Sequence, residues 1–170
     1  MTALIQAQTT GEANPFAASR ERFEQLVIEL TSPEALATTH SELEAVLHRK
    51  GMELLRQMYQ DQLDLLTRRQ RPRVVVGVEG LERERRRERH RALETRFGRV
   101  RVSRLSYEGT QGASLRPMDA ELNLPVELYS YGVRRLAAEQ ASSVSFDAAK
   151  ATIDSVSGAH VPKRQLEEIV

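Results

Sequence analysis

Phe23, Leu26, Val27 and Leu30 recur at i, i+3, i+4 and i+7, which predicts a helix over roughly residues 18–30 with one apolar face. Ser32 ahead of Pro33 marks a second helix start, because proline at the first helical position gives up no needed hydrogen bond. Thr39 and Glu42 have capping-box spacing. They open a longer pattern, Leu43, Val46, Leu47, Leu54, Leu55, Met58, Leu65 and Leu66, that carries a helix to about Arg69. Gly51 is a weak point within it and Pro72 ends it. Such length fits either core packing or a dimerisation stem.

Between Arg73 and Tyr107 the period falls to two. Val74, Val76 and Val78 share one strand face, Glu79-Gly80 can turn the chain, and Phe97-Gly98-Arg99 signals a second turn. Val100 and Val102 then lie on one face with Leu105 and Tyr107 on the other, which predicts a twist or bulge near Ser103. The expected unit is a three-stranded antiparallel meander. Residues 82–91 read either as a salt-bridged helix, with Glu82 and Arg86 four apart, or as a ribbon. Strand geometry sorts the charges better: Arg83, Arg85, Arg87, Arg89 and Arg91 alternate onto one side and Glu82, Glu84 and Glu88 onto the other.

After a loop marked by Gly109, Gly112 and Pro117, helical character returns. Val126, Tyr129, Val133 and Leu136 support a helix over roughly residues 127–141, with Gly132 inside it. Ser145 can cap a second helix ending near Gly158, and Pro162 starts a third with Leu166, Ile169 and Val170 facing inward. Three short helices with a glycine in the last turn match a helix-turn-helix plan.

Charge sharpens this picture. Residues 68–104 hold 14 arginines and 5 glutamates, against 5 basic and 10 acidic groups in 1–67 and 6 and 9 in 105–170. A basic segment between acidic ones suits a polyanion, since phosphate neutralisation releases counterions. The only lysines are Lys50, Lys150 and Lys163. Arginine in their place fits bidentate phosphate or guanine contacts, although a GC-rich genome gives the same bias. The absence of cysteine removes disulfides, zinc ribbons and thiol nucleophiles. No apolar run approaches the roughly 20 residues that span a bilayer, and Met1–Pro15 lack a secretory pattern, so a cytoplasmic, nucleoid-associated protein without a membrane partner is expected.

Within this frame, Arg83, Arg85, Arg87, Arg89 and Arg91, with Arg99 and Arg101, are the candidate backbone contacts. Lys163, Arg164 and Gln165 begin the last helix, where a recognition helix meets base edges. Solvated polar residues on a small bundle explain that helix equally well in kind. His40, Glu44 and His48 share a helical spacing that metal ligands use, but no fourth ligand is evident, so no metal and no cofactor are expected. Asp61, Asp64, Asp119, Asp147 and Asp154 form no recognisable catalytic constellation, and phosphate-binding loops and nucleophile elbows are missing.

The segments LETRFGRVRVSRLSYEG (93–109), LRPMDAELNLPVELYSYGVRRLAAEQ (115–140) and SFDAAKATIDSVSGAHVPKRQLEEI (145–169) resemble the N-terminal region of bacterial insertion-sequence transposases of the Kra type. Residues 32–65 also look like that family's first helices. The most specific elements are Leu122-Asn123-Leu124-Pro125 with Glu127-Leu128-Tyr129-Ser130, and Val161-Pro162-Lys163-Arg164. The resemblance implies binding to the ends of a mobile element, and a magnesium-dependent ribonuclease-H-like domain beyond the matched region. The chain is therefore expected to be a truncated or partial transposase with no catalytic residue of its own.

The expected fold is α+β and mainly helical, with a leader (1–15), a helical stem (16–70), an arginine-rich β-meander (71–110), a loop (111–125) and a helix-turn-helix-like segment (126–170). Its expected role is DNA binding in transposition. The competing class is a non-catalytic protein that self-associates through the stem, or represses a full-length transposase.

Overall fold

In the computed structural model, which describes residues 14–109 and 113–169, the helices are α1 (Ala17–Leu30), α2 (Pro33–Leu36), α3 (His40–Arg69), α4 (Pro117–Glu121), α5 (Tyr131–Ala141), α6 (Phe146–Val156) and α7 (Lys163–Ile169). Strands β1 (Val75–Val76), β2 (Glu82–Arg83), β3 (Arg86–Thr95) and β4 (Gly98–Tyr107) lie between α3 and α4. This is the mainly helical α+β fold that periodicity predicts. The leader up to residue 13, Gly112 and the inward packing of Val170 fall outside the described residues.

Local chemistry starts the helices where expected. The Thr39 hydroxyl accepts from the Glu42 amide and the Glu42 carboxylate accepts the Thr39 amide at 3.0 Å, completing the capping box of α3. Ser32 caps α2, with proline in its first turn. By contrast, α1 has no side-chain cap of its own. Asp61 of α3 fills that role from across the hairpin, accepting the Ser19 amide at 3.1 Å and its hydroxyl at 2.5 Å. A carboxylate there also meets the positive end of the helix dipole. Arg22–Glu53 and Lys50–Glu29 pair along the same antiparallel seam.

The strands form two separate two-stranded sheets rather than one three-stranded meander. In one, Val75 pairs with Arg83 and Val76 with Glu82; in the other, β3 and β4 pair over ten residues each, from Arg86↔Tyr107 to Thr95↔Gly98. The ladder keeps a single register throughout, so the bulge expected near Ser103 is not there. Both side-chain parities of β4 carry apolar residues because its second face, open at Arg99 and Arg101, is covered toward its far end. Val100 and Val102 pack with Leu63, Leu93 and Met118, while Tyr107, on the opposite face, is buried with its hydroxyl 3.4 Å from the Arg73 amide.

α3 lies along the open edge of β4 and satisfies it with side chains. Gln60 donates to the Arg101 carbonyl and accepts the Arg101 amide, Thr67 donates to the Ser103 carbonyl at 2.6 Å, and Gln70 accepts the Leu105 amide at 3.0 Å. An exposed strand edge is thereby protected from foreign pairing. Beyond it, Tyr107 exchanges backbone bonds with Leu115.

A second core, Tyr129, Val133, Leu136, Ala137, Ala149, Ile153, Ala159, Val161 and Leu166, holds α5, α6 and α7 together. Ser130 and Ser145 cap α5 and α6. α5 begins at Tyr131, not near residue 127, because the preceding backbone is used otherwise: Leu128 accepts the Glu94 amide and Ser130 donates to the Glu94 carbonyl. That strand-like contact is incompatible with helix. It also leaves Val126 on the surface instead of in the core.

Candidate nucleic-acid interface

Alternation along β3 sets the arginines. Its Arg87, Arg89, Arg91 and Leu93 fall on one face, opposite Ser106, Arg104, Val102 and Val100 of β4. Arg85 extends this row, since its carbonyl accepts the Glu108 amide at 2.8 Å. The face is the one that carries the core. α3 and α4 cover its turn end at Leu93, Val100 and Val102, and leave the distal end, at Arg85, Arg87 and Arg89, open to solvent.

At that open end three guanidinium groups converge on one carboxylate. Arg85, Arg87 and Arg89 lie 3.8, 3.6 and 3.1 Å from the Glu108 carboxylate oxygens, and only Arg89 makes a hydrogen bond to it. Glu108 is largely buried among them whereas the arginines are about half exposed. Three positive charges around one negative charge leave a net excess, with donor forks still free to face solvent.

The neighbouring residues add to this charge. Arg104, directly across from Arg89, is buried, and its Nε approaches Asp119 Oδ1 to 2.6 Å. That approach is out of line for a hydrogen bond, and Arg104 Nη1 has no partner among the described residues. Coulomb attraction therefore holds the pair. Arg91 donates to the Pro125 carbonyl at 2.6 Å and to the Glu127 carbonyl, which ties the LNLP segment to the strand. Burial, with the Arg104 charge close by, pulls the Arg91 guanidinium below its ordinary range, against the opposing pull of Asp119 and Glu127.

The other arginines fall elsewhere. Arg83 belongs to β2, in the other sheet, and is buried between Glu79 and the Ala113 carbonyl, so it is not part of the exposed row. Its hydrogen bond holds the Glu79 carboxyl below the usual carboxylate range. The alternation that grouped Arg83 with the others fails because the chain leaves one sheet at Arg83 and enters the next at Arg86. Arg99 and Arg101 sit on the opposite hairpin face, across from Glu94 and Ala92.

Glu94 joins the hairpin to the helical unit. Its buried carboxylate accepts from Arg99 Nε at 2.8 Å and from the His160 amide at 3.0 Å, in the turn between α6 and α7. The bond to Glu94 raises the Arg99 guanidinium above its ordinary value. Tyr129 beside it is also raised, first by burial and then by the Glu94 charge. Gly158 completes the joint, donating to the Arg96 carbonyl at 2.8 Å. Periodicity and spacing did not single out Glu94, Arg104 or Glu108; their roles depend on the β3–β4 register, which no local pattern reveals.

On α7, Lys163 pairs with Asp147 of α6 at 2.7 Å, which raises its ammonium pKa, while Arg164 and Gln165 both contact Glu168. Lys163 and Arg164 are exposed and Gln165 is half-buried. Among the described residues no group of three or more acidic or histidine side chains is placed to hold a metal ion, and no helix is long and apolar enough to cross a membrane. No family model, curated protein or solved structure matches the chain.

Proposed function

We propose that this protein binds the DNA backbone through the open end of the β3–β4 hairpin, as the DNA-binding region of an insertion-sequence transposase. The observation that carries the reading is the convergence of Arg85, Arg87 and Arg89 on the single carboxylate of Glu108. Arginine forks suit phosphate oxygens, and a surplus of cations spaced along a strand follows a row of phosphates. The buried Arg104 and the half-buried Arg91 deepen the positive potential beneath that row. α7, with Lys163 and Arg164 exposed and Gln165 half-buried behind a six-residue turn from α6, supplies base contacts in this reading. The transposase assignment rests on the sequence resemblance alone, and the backbone contact rests on the geometry.

The test is fluorescence anisotropy of a short labelled duplex titrated with the full chain across a salt series. Affinity should fall steeply with salt, and replacing Arg85, Arg87 and Arg89 together by alanine should lower the log–log slope by about 2 to 3, since each neutralised phosphate accounts for ~0.9 of it. An affinity indifferent to salt, or a triple variant with an unchanged slope, removes this face from DNA binding. Replacing Lys163, Arg164 and Gln165 should instead weaken preferred sites relative to random duplex.

A further inference from the structure

The α1–α3 hairpin has two sides of opposite character. On one, Arg22, Glu29, Lys50 and Glu53 pair across the seam. On the other, helical phase places Phe23 and Val27 of α1 beside Leu47 and Met58 of α3, because the helices run antiparallel and these positions lie about a quarter turn to the same side of the seam. With Leu55, these apolar side chains are each between 40 % and 55 % exposed. Isolated apolar residues at a surface are ordinary, but a continuous apolar face across two helices marks an interaction surface.

The centre of this face holds a glycine that the monomer does not explain. Gly51 lies in the middle of the 30-residue helix α3, and a methyl group built on it meets nothing within 4 Å. Glycine in a helix interior is worse than alanine by about 1 kcal/mol. Leu47 and Leu55 flank it at minus four and plus four, so the pattern is symmetric about Gly51.

We propose that a second copy of this chain covers the face, with α3 crossing its counterpart antiparallel at Gly51. A two-fold axis there sets Leu47 of one copy against Leu55 of the other, and the two glycines let the helix backbones approach closely. Val27 of α1 then meets its own counterpart, giving a four-helix arrangement. A face two helices wide, about 20 Å, and on the order of 25 Å long offers roughly 500 Å² per copy, or about 1,000 Å² in total, the lower bound for a specific interface. The pairing leaves the hairpin arginines of both copies uncovered and requires no DNA.

Sedimentation velocity on the full chain without nucleic acid tests this. The expected mass is twice 19.2 kDa. Leu47→Glu should weaken association at least ~100-fold, because each dimer carries the change twice. Gly51→Ala separates the crossing from mere stickiness: helix propensity makes it stabilise a monomer, whereas a close crossing makes it raise the dissociation constant roughly tenfold. A chain that stays monomeric up to about 100 µM overturns the proposal. So does a dimer indifferent to Leu47→Glu, and a Gly51→Ala variant with higher melting temperature and unchanged dimerisation places the contact elsewhere.

Discussion

Replacing Glu94 by alanine should loosen the joint between the hairpin and the α6–α7 turn without unfolding either. The Glu94 side chain is 3 % exposed and accepts two charge-assisted hydrogen bonds, from Arg99 Nε at 2.8 Å and the His160 amide at 3.0 Å. Such bonds contribute about 1.5–3 kcal/mol each when desolvated. Arg99 is 62 % exposed, so water replaces much of that partner and its share drops below about 1 kcal/mol. The bond from the His160 amide is part-buried, and removing the side chain leaves a void, so the total loss should be about 3 kcal/mol. Glu94→Gln keeps the volume and one acceptor, and should lose about half as much. Urea unfolding gives the free energies, and amide exchange at His160 gives the local opening. The Glu94 backbone bonds to Leu128 and Ser130 survive the substitution, so exchange at Ser130 should change less. A Glu94→Ala protein within about 1 kcal/mol of the parent, or unaltered protection at His160, would refute this account.

Three further outcomes are expected. Glu108→Gln removes the carboxylate that competes with phosphate for Arg85, Arg87 and Arg89, so duplex affinity at low salt should rise several-fold, on the order of 1 kcal/mol; a decrease would show that Glu108 mainly orders the arginines. Gly158→Ala puts a methyl carbon 2.5 Å from the Phe97 carbonyl oxygen, a backbone atom that cannot swing away, and should destabilise by about 1–3 kcal/mol in thermal or urea melts. The Glu42 carboxyl is held below its ordinary value, first by the Thr39 hydroxyl and then by the Thr39 amide. Its folded pKa being depressed, the cap is at full strength above the ordinary glutamate value and is lost as pH falls through the folded one. Acid should therefore lower the protection factor of the Thr39 amide, its exchange measured relative to the intrinsic rate at each pH, and Glu42→Gln should flatten that dependence.

Elements announced by chemistry within a few residues were legible in the chain. The capping box at Thr39 and Glu42, the proline-led α2, the end of α3 ahead of Pro72 and the cap at Ser145 all act locally, and the structure shows each. Alternation likewise placed Arg85, Arg87, Arg89 and Arg91 on one face. It failed at Arg83, because a period of two holds only within one strand and the chain changes sheets there. The start of α5 departs from its helical spacing for a related reason. Residues 128–130 have helical spacing, but Glu94, more than thirty positions earlier, claims their backbone groups.

The sequence by itself determined most of the helices, though not α4, which forms inside the stretch marked as loop, and it determined that the middle of the chain pairs antiparallel and that its arginines concentrate there. Those follow from periodicity, caps and composition, all short-range properties. Tertiary structure alone decided what each charge does: Arg83 buried against Glu79, Arg104 held by Asp119, and Arg85, Arg87 and Arg89 gathered on Glu108. Burial and Coulomb energy depend on distances between residues far apart in the chain, and those distances are set only when α3 docks on the edge of β4 and Glu94 locks the hairpin to the α6–α7 turn.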